Sequence, residues 1–209
     1  MRVLPETRGA GEFEAMRSVS KAAYKTHKKS CAASANLRNQ MDNDPAIEER
    51  NHDLSEWLSY WRPHLYTMGI YAMDLANHPG NRLATHVPVI TLEYRPNPPS
   101  RSQIFRMDLG GVMSRDEFVS LMKDHECTDD VIEDFVTDNR GDHTIQVSVL
   151  CEGTMRFLFL SFRSLYRWQA MDKQKSRNLA ESWVQVLREM IEKGASGDLA
   201  KSAGFETLF

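Results

Sequence analysis

The chain has little cysteine: its 209 residues contain three, Cys31, Cys127 and Cys151. Their number is odd, they are scattered, and no C-x-x-C pair occurs. A secreted disulfide scaffold uses an even and denser set of cysteines, and structural zinc sites use paired ligands at fixed spacings. The cysteines therefore favour a reducing compartment, and the usual spacing patterns of a zinc site are missing.

Long hydrophobic runs are missing too. No segment approaches the ~18 apolar residues of a membrane span. The start, Met1–Glu6, lacks the apolar region of a signal peptide, and no Asn-x-Ser/Thr glycosylation acceptor occurs. We therefore expect an intracellular protein, cytoplasmic or nuclear, with no membrane partner.

The strong signatures of enzymes are absent as well. The sequence contains no Walker loop, Gly-x-Gly-x-x-Gly, Gly-x-Ser-x-Gly or His-Glu-x-x-His motif. This absence leaves the enzyme question open but favours a non-enzymatic protein.

Charge is unevenly distributed along the chain. Residues 1–40 carry eight Lys and Arg against three Asp and Glu, whereas residues 41–209 carry 18 against 26. The apolar spacing of residues 12–41 predicts a helix, so residues 1–42 are interpreted as a basic helical arm. Such an arm can contact nucleic acid or acidic partners, or it is only a solvated helix face.

Residues 43–196 are predicted to form a single body, and residues 197–209 a flexible tail. A long helix should begin at Pro45, where the missing N–H costs nothing, and run to residue 76. Pro63 is expected to interrupt or kink it. The other predicted elements are strands at 87–94 and 103–112, a short helix after the capping box Ser114–Glu117, a helix at 129–136, a hairpin at 143–151 and 155–162, and a helix at 176–193 that Gly194 ends.

This order of elements predicts the α+β class. The N-terminal half should be helical, a small antiparallel sheet of about four strands should be covered by helices, and a helix should end the fold.

The segment Lys21–Cys31 contains His27 and Cys31 four residues apart, which places an imidazole and a thiol on one face of a helix. With Tyr24 and Lys28 they match the closing half of a MYND zinc finger, which this segment resembles. The two cysteines that the family has upstream fall on Ala15 and Val19.

The likeness to fungal MYND proteins extends to the body, over about residues 20–195, in Trp57–Pro63, Ala72–Pro79 and Asn81–His86. Intact MYND fingers bind proline-containing peptides, so the resemblance implies a protein partner. It implies zinc at His27 and Cys31 only if the missing ligands come from outside the matched segment; otherwise we expect no cofactor. An alternative is that Met1 is a gene-model boundary and that the missing cysteines lie upstream.

Two polar groupings are candidate chemical sites. The run Asp124–Cys127 contains a histidine, a thiol and carboxylates, and the strand that follows could bring His143 and Cys151 close to it. Asp74, His78 and His86 flank the turn after the long helix and could bind a ligand or act as acid and base. In both cases the alternative is ordinary packing and capping, and no catalytic residue is assigned.

Aromatic residues crowd the central helix, Trp57 and Trp61 among them. Most should be core residues, but a cluster of aromatic side chains too large to be buried on one face of the helix indicates a binding groove.

The sequence therefore supports two hypotheses. The first is a non-enzymatic interaction module with Tyr24, Trp57 and Trp61 at binding surfaces. The alternative is a small-molecule-binding protein or enzyme, with a pocket between the aromatic helices and the sheet where Asp74, His78 or His86 converge.

Overall fold

The fold was analysed in a computed structural model. The residues that it describes are 45–79, 82–125, 127–137, 143–151, 154–194 and 201–205. The chain divides into two compact units, Met1–Glu49 and Arg50–Phe209. The predicted arm at residues 1–42 and its helix lie outside the described residues, and the boundary between arm and body stays a prediction.

Helices and strands alternate in groups along the described chain. In chain order they are α1 (Pro45–Ala72), α2 (Arg82–Thr85), β1 (His86–Tyr94), a 3-10 turn (Arg101–Gln103), β2 (Phe105–Ser114), α3 (Arg115–Asp124), α4 (Asp129–Thr137), β3 (Thr144–Cys151), β4 (Thr154–Ser161), α5 (Tyr166–Gln169) and α6 (Lys173–Lys193). The α+β class, the four strands and the C-terminal helix are confirmed.

Helix α1 begins at Pro45, as the proline predicted, and continues through Pro63 without interruption. A proline removes one backbone donor, and burial of the helix on both sides of Pro63 outweighs that loss. The helix ends at Ala72, four residues before the predicted end. The chain turns there because Asp74 adopts a positive φ of 46°, a left-handed conformation that Asp tolerates and that ends many helices.

The sheet has the strand order β2-β1-β3-β4. The pairs β1–β2 and β3–β4 are antiparallel, whereas β1 and β3 are parallel, with Val89 opposite Ser148. The sheet is therefore mixed, and the prediction of a wholly antiparallel sheet is wrong at its central pair. The reason is that α3 and α4 carry the chain from β2 across the sheet to the other side of β1.

Helices cover both faces of the sheet. One core joins α1 and α6 to Ile90, Leu92 and alternate residues of β3, and the other joins α3 and α4 to Val87 and Val89. Every residue of β3 is buried, as expected for a central strand with helices on either side. Three layers result, with the sheet between two layers of helices.

The C-terminal helix α6 begins three residues earlier than predicted, because the side chain of Asp172 caps it by accepting a hydrogen bond from the Lys175 N–H. It ends at Gly194, whose φ of 58° confirms the predicted stop.

Further on, in the segment predicted to be a flexible tail, Phe205 is fully buried. Its ring packs edge-on against that of Tyr71, with the ring centroids 5.2 Å apart. At this residue the segment is part of the core. No helix in the described part of the chain is long and apolar enough to cross a membrane.

Candidate functional site

The residues that carry the MYND resemblance, Tyr24, His27 and Cys31, lie outside the described part of the chain. The zinc site that they imply therefore stays a prediction. The other predicted binding residues lie in two places: Trp57 and Trp61 face the turn before β2, and the polar group of Asp74, His78 and His86 lies near the start of β1.

Trp57 and Trp61 lie one turn apart on α1 and are fixed by a single acceptor. Both indole N–H groups donate to the carbonyl oxygen of Ser102, at 3.0 and 2.9 Å, and the ring centroids are 5.8 Å apart. The two side chains are only 2% and 0% exposed. They are thus core residues. Trp57 also lies at the bottom of a surface groove, which is lined mainly by more exposed side chains.

That groove, which we call the aromatic groove, has a volume of about 380 Å³ between α1 and the turn before β2. Tyr60 is the exposed aromatic side chain of the groove: it is 53% exposed, and its ring packs edge-on against that of Trp61 with centroids 5.3 Å apart. The lining residues are Asp53, Glu56, Trp57, Tyr60, Arg101, Ser102 and Ile104.

Charged side chains lie along the rim of the aromatic groove. Glu56 forms an ion pair with Arg101 across it and lies 3.9 Å from His52 on the same helix. No cation of the described residues lies within ion-pair distance of Asp53, so its carboxylate can pair with a cation of a ligand. The ligand atoms of His52, Asp53 and Glu56 lie within 4.8 Å of one another. Oε2 of Glu56 is already paired with Arg101, so a divalent cation at this group would compete with that ion pair.

Asp74 is buried, and its carboxylate already accepts hydrogen bonds from neighbouring residues. Oδ1 accepts hydrogen bonds from the Ser176 hydroxyl and from the Asn77 amide, and the Asn77 amide also donates to the Lys173 carbonyl. His78 lies 3.8 Å from Oδ2. The carboxylate thus joins the end of α1 to the start of α6, which is a structural role.

His86 lies at the start of β1, where its Nδ1 is 2.9 Å from the Thr85 hydroxyl. Burial lowers the pKa of His86; Arg82 lowers it further, and Glu117 partly opposes them. Neither the aromatic groove nor the pocket described next is lined by Asp74, His78 or His86. The convergence that the small-molecule hypothesis required is therefore not found in either cavity.

A second cavity, the thiol pocket, lies at the ends of β1 and β3 and has a volume of about 230 Å³. It brings together His125, Cys127 and Cys151, as the sequence suggested, whereas His143 precedes β3 at the opposite end of that strand. The other lining residues are Thr91, Leu92, Leu150, Thr154 and Met155.

The chemistry of the thiol pocket is that of a mostly apolar cavity. Burial raises the pKa of Cys127, the opposite of what a nucleophilic cysteine needs. Among the described residues, the one group of three Cys, His or acidic side chains that converges within 4.8 Å is His52, Asp53 and Glu56. His125, Cys127 and Cys151 thus do not meet in the arrangement of a metal site.

Comparisons with known proteins are negative. No protein-family model, curated protein or solved structure matches the chain.

Sequence reasoning missed two parts of the aromatic groove. Tyr60 is one of several aromatic residues of α1, and the sequence could not single it out, because its exposure depends on which side of the helix packs on the sheet. Arg101 lies 45 residues from its partner Glu56, in a loop with no pattern of its own. Only the opposite charges could have suggested the pair, and many other pairs have them.

Proposed function

We propose that the protein is a non-enzymatic interaction module and that the aromatic groove is its recognition surface. The observation that carries this proposal is the exposure of Tyr60, at 53%, beside the buried rings of Trp57 and Trp61. A large amphipathic side chain held next to rigid rings offers contact area at low entropic cost, and such residues dominate binding energies at interfaces.

The chemistry of the groove favours a proline-containing peptide with a basic residue. Grooves lined by aromatic rings accept extended proline-rich segments, whose preformed shape lowers the entropic cost of binding. Asp53 lies on the same helix seven residues before Tyr60 and offers a carboxylate without an ion-pair partner among the described residues. A peptide Lys or Arg would pair with it while proline packs on Tyr60.

The test is fluorescence anisotropy with a panel of labelled peptides that contain proline and arginine, each matched by a version with alanine for proline. We expect binding that depends on proline and weakens at least tenfold in Tyr60→Ala, as for a hot-spot residue, while Tyr60→Phe retains it. Asp53→Asn should weaken only the peptides that contain arginine.

Tyr166→Ala is the matched control, because Tyr166 is the other highly exposed tyrosine, at 75%, and does not line the groove. Equal losses in Tyr60→Ala and Tyr166→Ala would contradict recognition by the groove. Binding that ignores proline would contradict the proposed ligand.

A second candidate function, the binding of a small apolar molecule, is favoured by the thiol pocket. Its volume of about 230 Å³ suits a compact ligand, and Leu92, Leu150 and Met155 give it apolar walls. A ligand bound only to the folded state would raise the melting temperature with concentration. A thermal-shift screen of small aromatic and aliphatic compounds tests this, with Thr154→Phe as the filled-pocket control; a shift that persists in that variant would place the ligand elsewhere.

A further inference from the structure

A basic surface with exposed aromatic character lies where β4 leads into α6. Residues 162–177 contain five Lys and Arg against one acidic residue, although residues 41–209 as a whole are acidic. All five cations are exposed: Arg163, Arg167, Lys173, Lys175 and Arg177. We call residues 162–177 the basic segment.

Most of these cations are not neutralised by the protein itself. Among the described residues, no carboxylate lies within ion-pair distance of Arg163, Lys173, Lys175 or Arg177. Three other arginines of the body are paired with glutamates: Arg95 with Glu192, Arg101 with Glu56, and Arg106 with Glu93. The basic segment therefore keeps a local positive field that can attract an anionic partner.

An aromatic ring stands among these cations. Tyr166 is 75% exposed in the short helix α5, between Arg163 and Arg167. The residues around it hold the segment to the body: Leu165 is buried in the core that contains α1 and α6, and Phe162 and Trp168 pack against that core. Tyr166 thus projects from an anchored turn.

The start of α6 is fixed in the same way. The amide of Asn77 donates to the Lys173 carbonyl, and the buried Ser176 bonds to Asp74. Lys173 and Arg177 lie one turn apart on α6 and so share a side of the helix. The backbone at the start of α6, which carries Lys173, Lys175 and Arg177, is thus fixed to the end of α1.

We propose that the basic segment binds single-stranded nucleic acid, with its cations along the phosphates and a base stacked on Tyr166. Lysine and arginine that neutralise phosphates release counterions, and a flat ring accepts any base. Duplex DNA or an acidic peptide would use the charges but not the ring. This site is distinct from the aromatic groove and does not depend on the peptide-binding proposal.

The test is anisotropy of a fluorescein-labelled oligouridylate with the full chain, between about 50 and 200 mM salt. We expect saturable binding whose logarithm falls linearly with the logarithm of salt concentration. Each of Arg163→Gln, Lys173→Gln and Arg177→Gln should reduce that slope by about 0.7, the value for one phosphate on a single strand. Tyr166→Ala should weaken binding about 5- to 150-fold, and Tyr166→Phe should restore it.

Arg106→Gln and Leu109→Ala are the matched controls, since both residues are exposed and lie outside the basic segment and the aromatic groove. All variants keep residues 1–40, so binding through those lysines would survive every substitution. The proposal is overturned by an absence of binding at the lowest salt, by binding that the segment variants leave unchanged, or by phosphatidylserine vesicles that bind the segment while the oligouridylate does not. Circular dichroism of each variant confirms that the fold is intact.

Discussion

The Ser176 hydroxyl donates a hydrogen bond to the Asp74 carboxylate, across 102 residues of sequence. Together with the hydrogen bond from the Asn77 amide to the Lys173 carbonyl, it joins the first turn of α6 to the end of α1. Asp74 also holds a left-handed backbone conformation, which alanine tolerates poorly and asparagine accepts. Two separate causes thus make this side chain difficult to replace.

We therefore expect Asp74→Ala to lower the free energy of unfolding by about 2–4 kcal/mol, because it leaves the buried Ser176 hydroxyl without its acceptor and adds backbone strain. Asp74→Asn should cost roughly half as much, since it keeps one acceptor and the conformation. Urea denaturation followed by circular dichroism measures both, and equal losses would contradict the role of backbone strain.

Gly69 marks the closest approach of α1 to the sheet. A Cβ added there would lie 2.8 Å from Cγ2 of Val147 and 3.2 Å from Cδ1 of Ile145, both on the central strand β3. Valine is stiff and β3 is buried on both sides, so neither methyl can yield easily.

Gly69→Ala should destabilise the protein by about 1–3 kcal/mol from overpacking, even though alanine favours a helix by up to ~1 kcal/mol. Gly111→Ala is the control, since no atom lies within 4 Å of its added Cβ. Thermal unfolding compares the pair; a neutral Gly69→Ala would show that the helix shifts without cost.

Stability should fall as the solution becomes acidic. Burial lowers the pKa of His64, and burial, Arg82 and His78 lower the pKa of His86 against the opposing charge of Glu117. The unfolded chain therefore binds more protons than the folded one below pH ~6.5, the ordinary value for histidine.

The histidine contribution to stability is thus complete above pH ~6.5 and is lost as the pH falls towards the lowered values. His64→Gln and His86→Gln should each flatten the dependence between pH ~5 and ~7. Urea denaturation across this range measures the slope. His52→Gln on exposed helix surface is the control, and an identical slope in all four proteins would refute the assignment.

Cys127 should be a slow nucleophile. Burial raises its thiol pKa, so the thiolate fraction at neutral pH lies below that of an ordinary cysteine. With iodoacetamide at pH ~7.5, peptide mapping should find Cys127 modified at least several-fold more slowly in the folded protein than in urea. Faster modification in the folded state would point to a catalytic thiol in the pocket.

Much of the fold follows from local chemistry in the sequence. Pro45 fixed the start of α1, the Ser114–Glu117 capping box the start of α3, and Gly194 the end of α6, because each acts through its own backbone within one turn. The alternation of branched and apolar residues placed β1, β3 and β4 within two residues of their observed ends. The end of α1 was missed because it depends on Asp74, whose conformation is supported by Ser176.

The sequence by itself determined the α+β class and the order of the longer helices and strands, though not the short helices α2 and α5, since propensity, capping and apolar periodicity are properties of short segments. Tertiary structure alone decided the parallel pairing of β1 with β3, the burial of Trp57 and Trp61 beside an exposed Tyr60, and the packing of Phe205. These depend on contacts between segments far apart in the chain. The free energy of such contacts comes from surfaces that exist only after the layers have assembled.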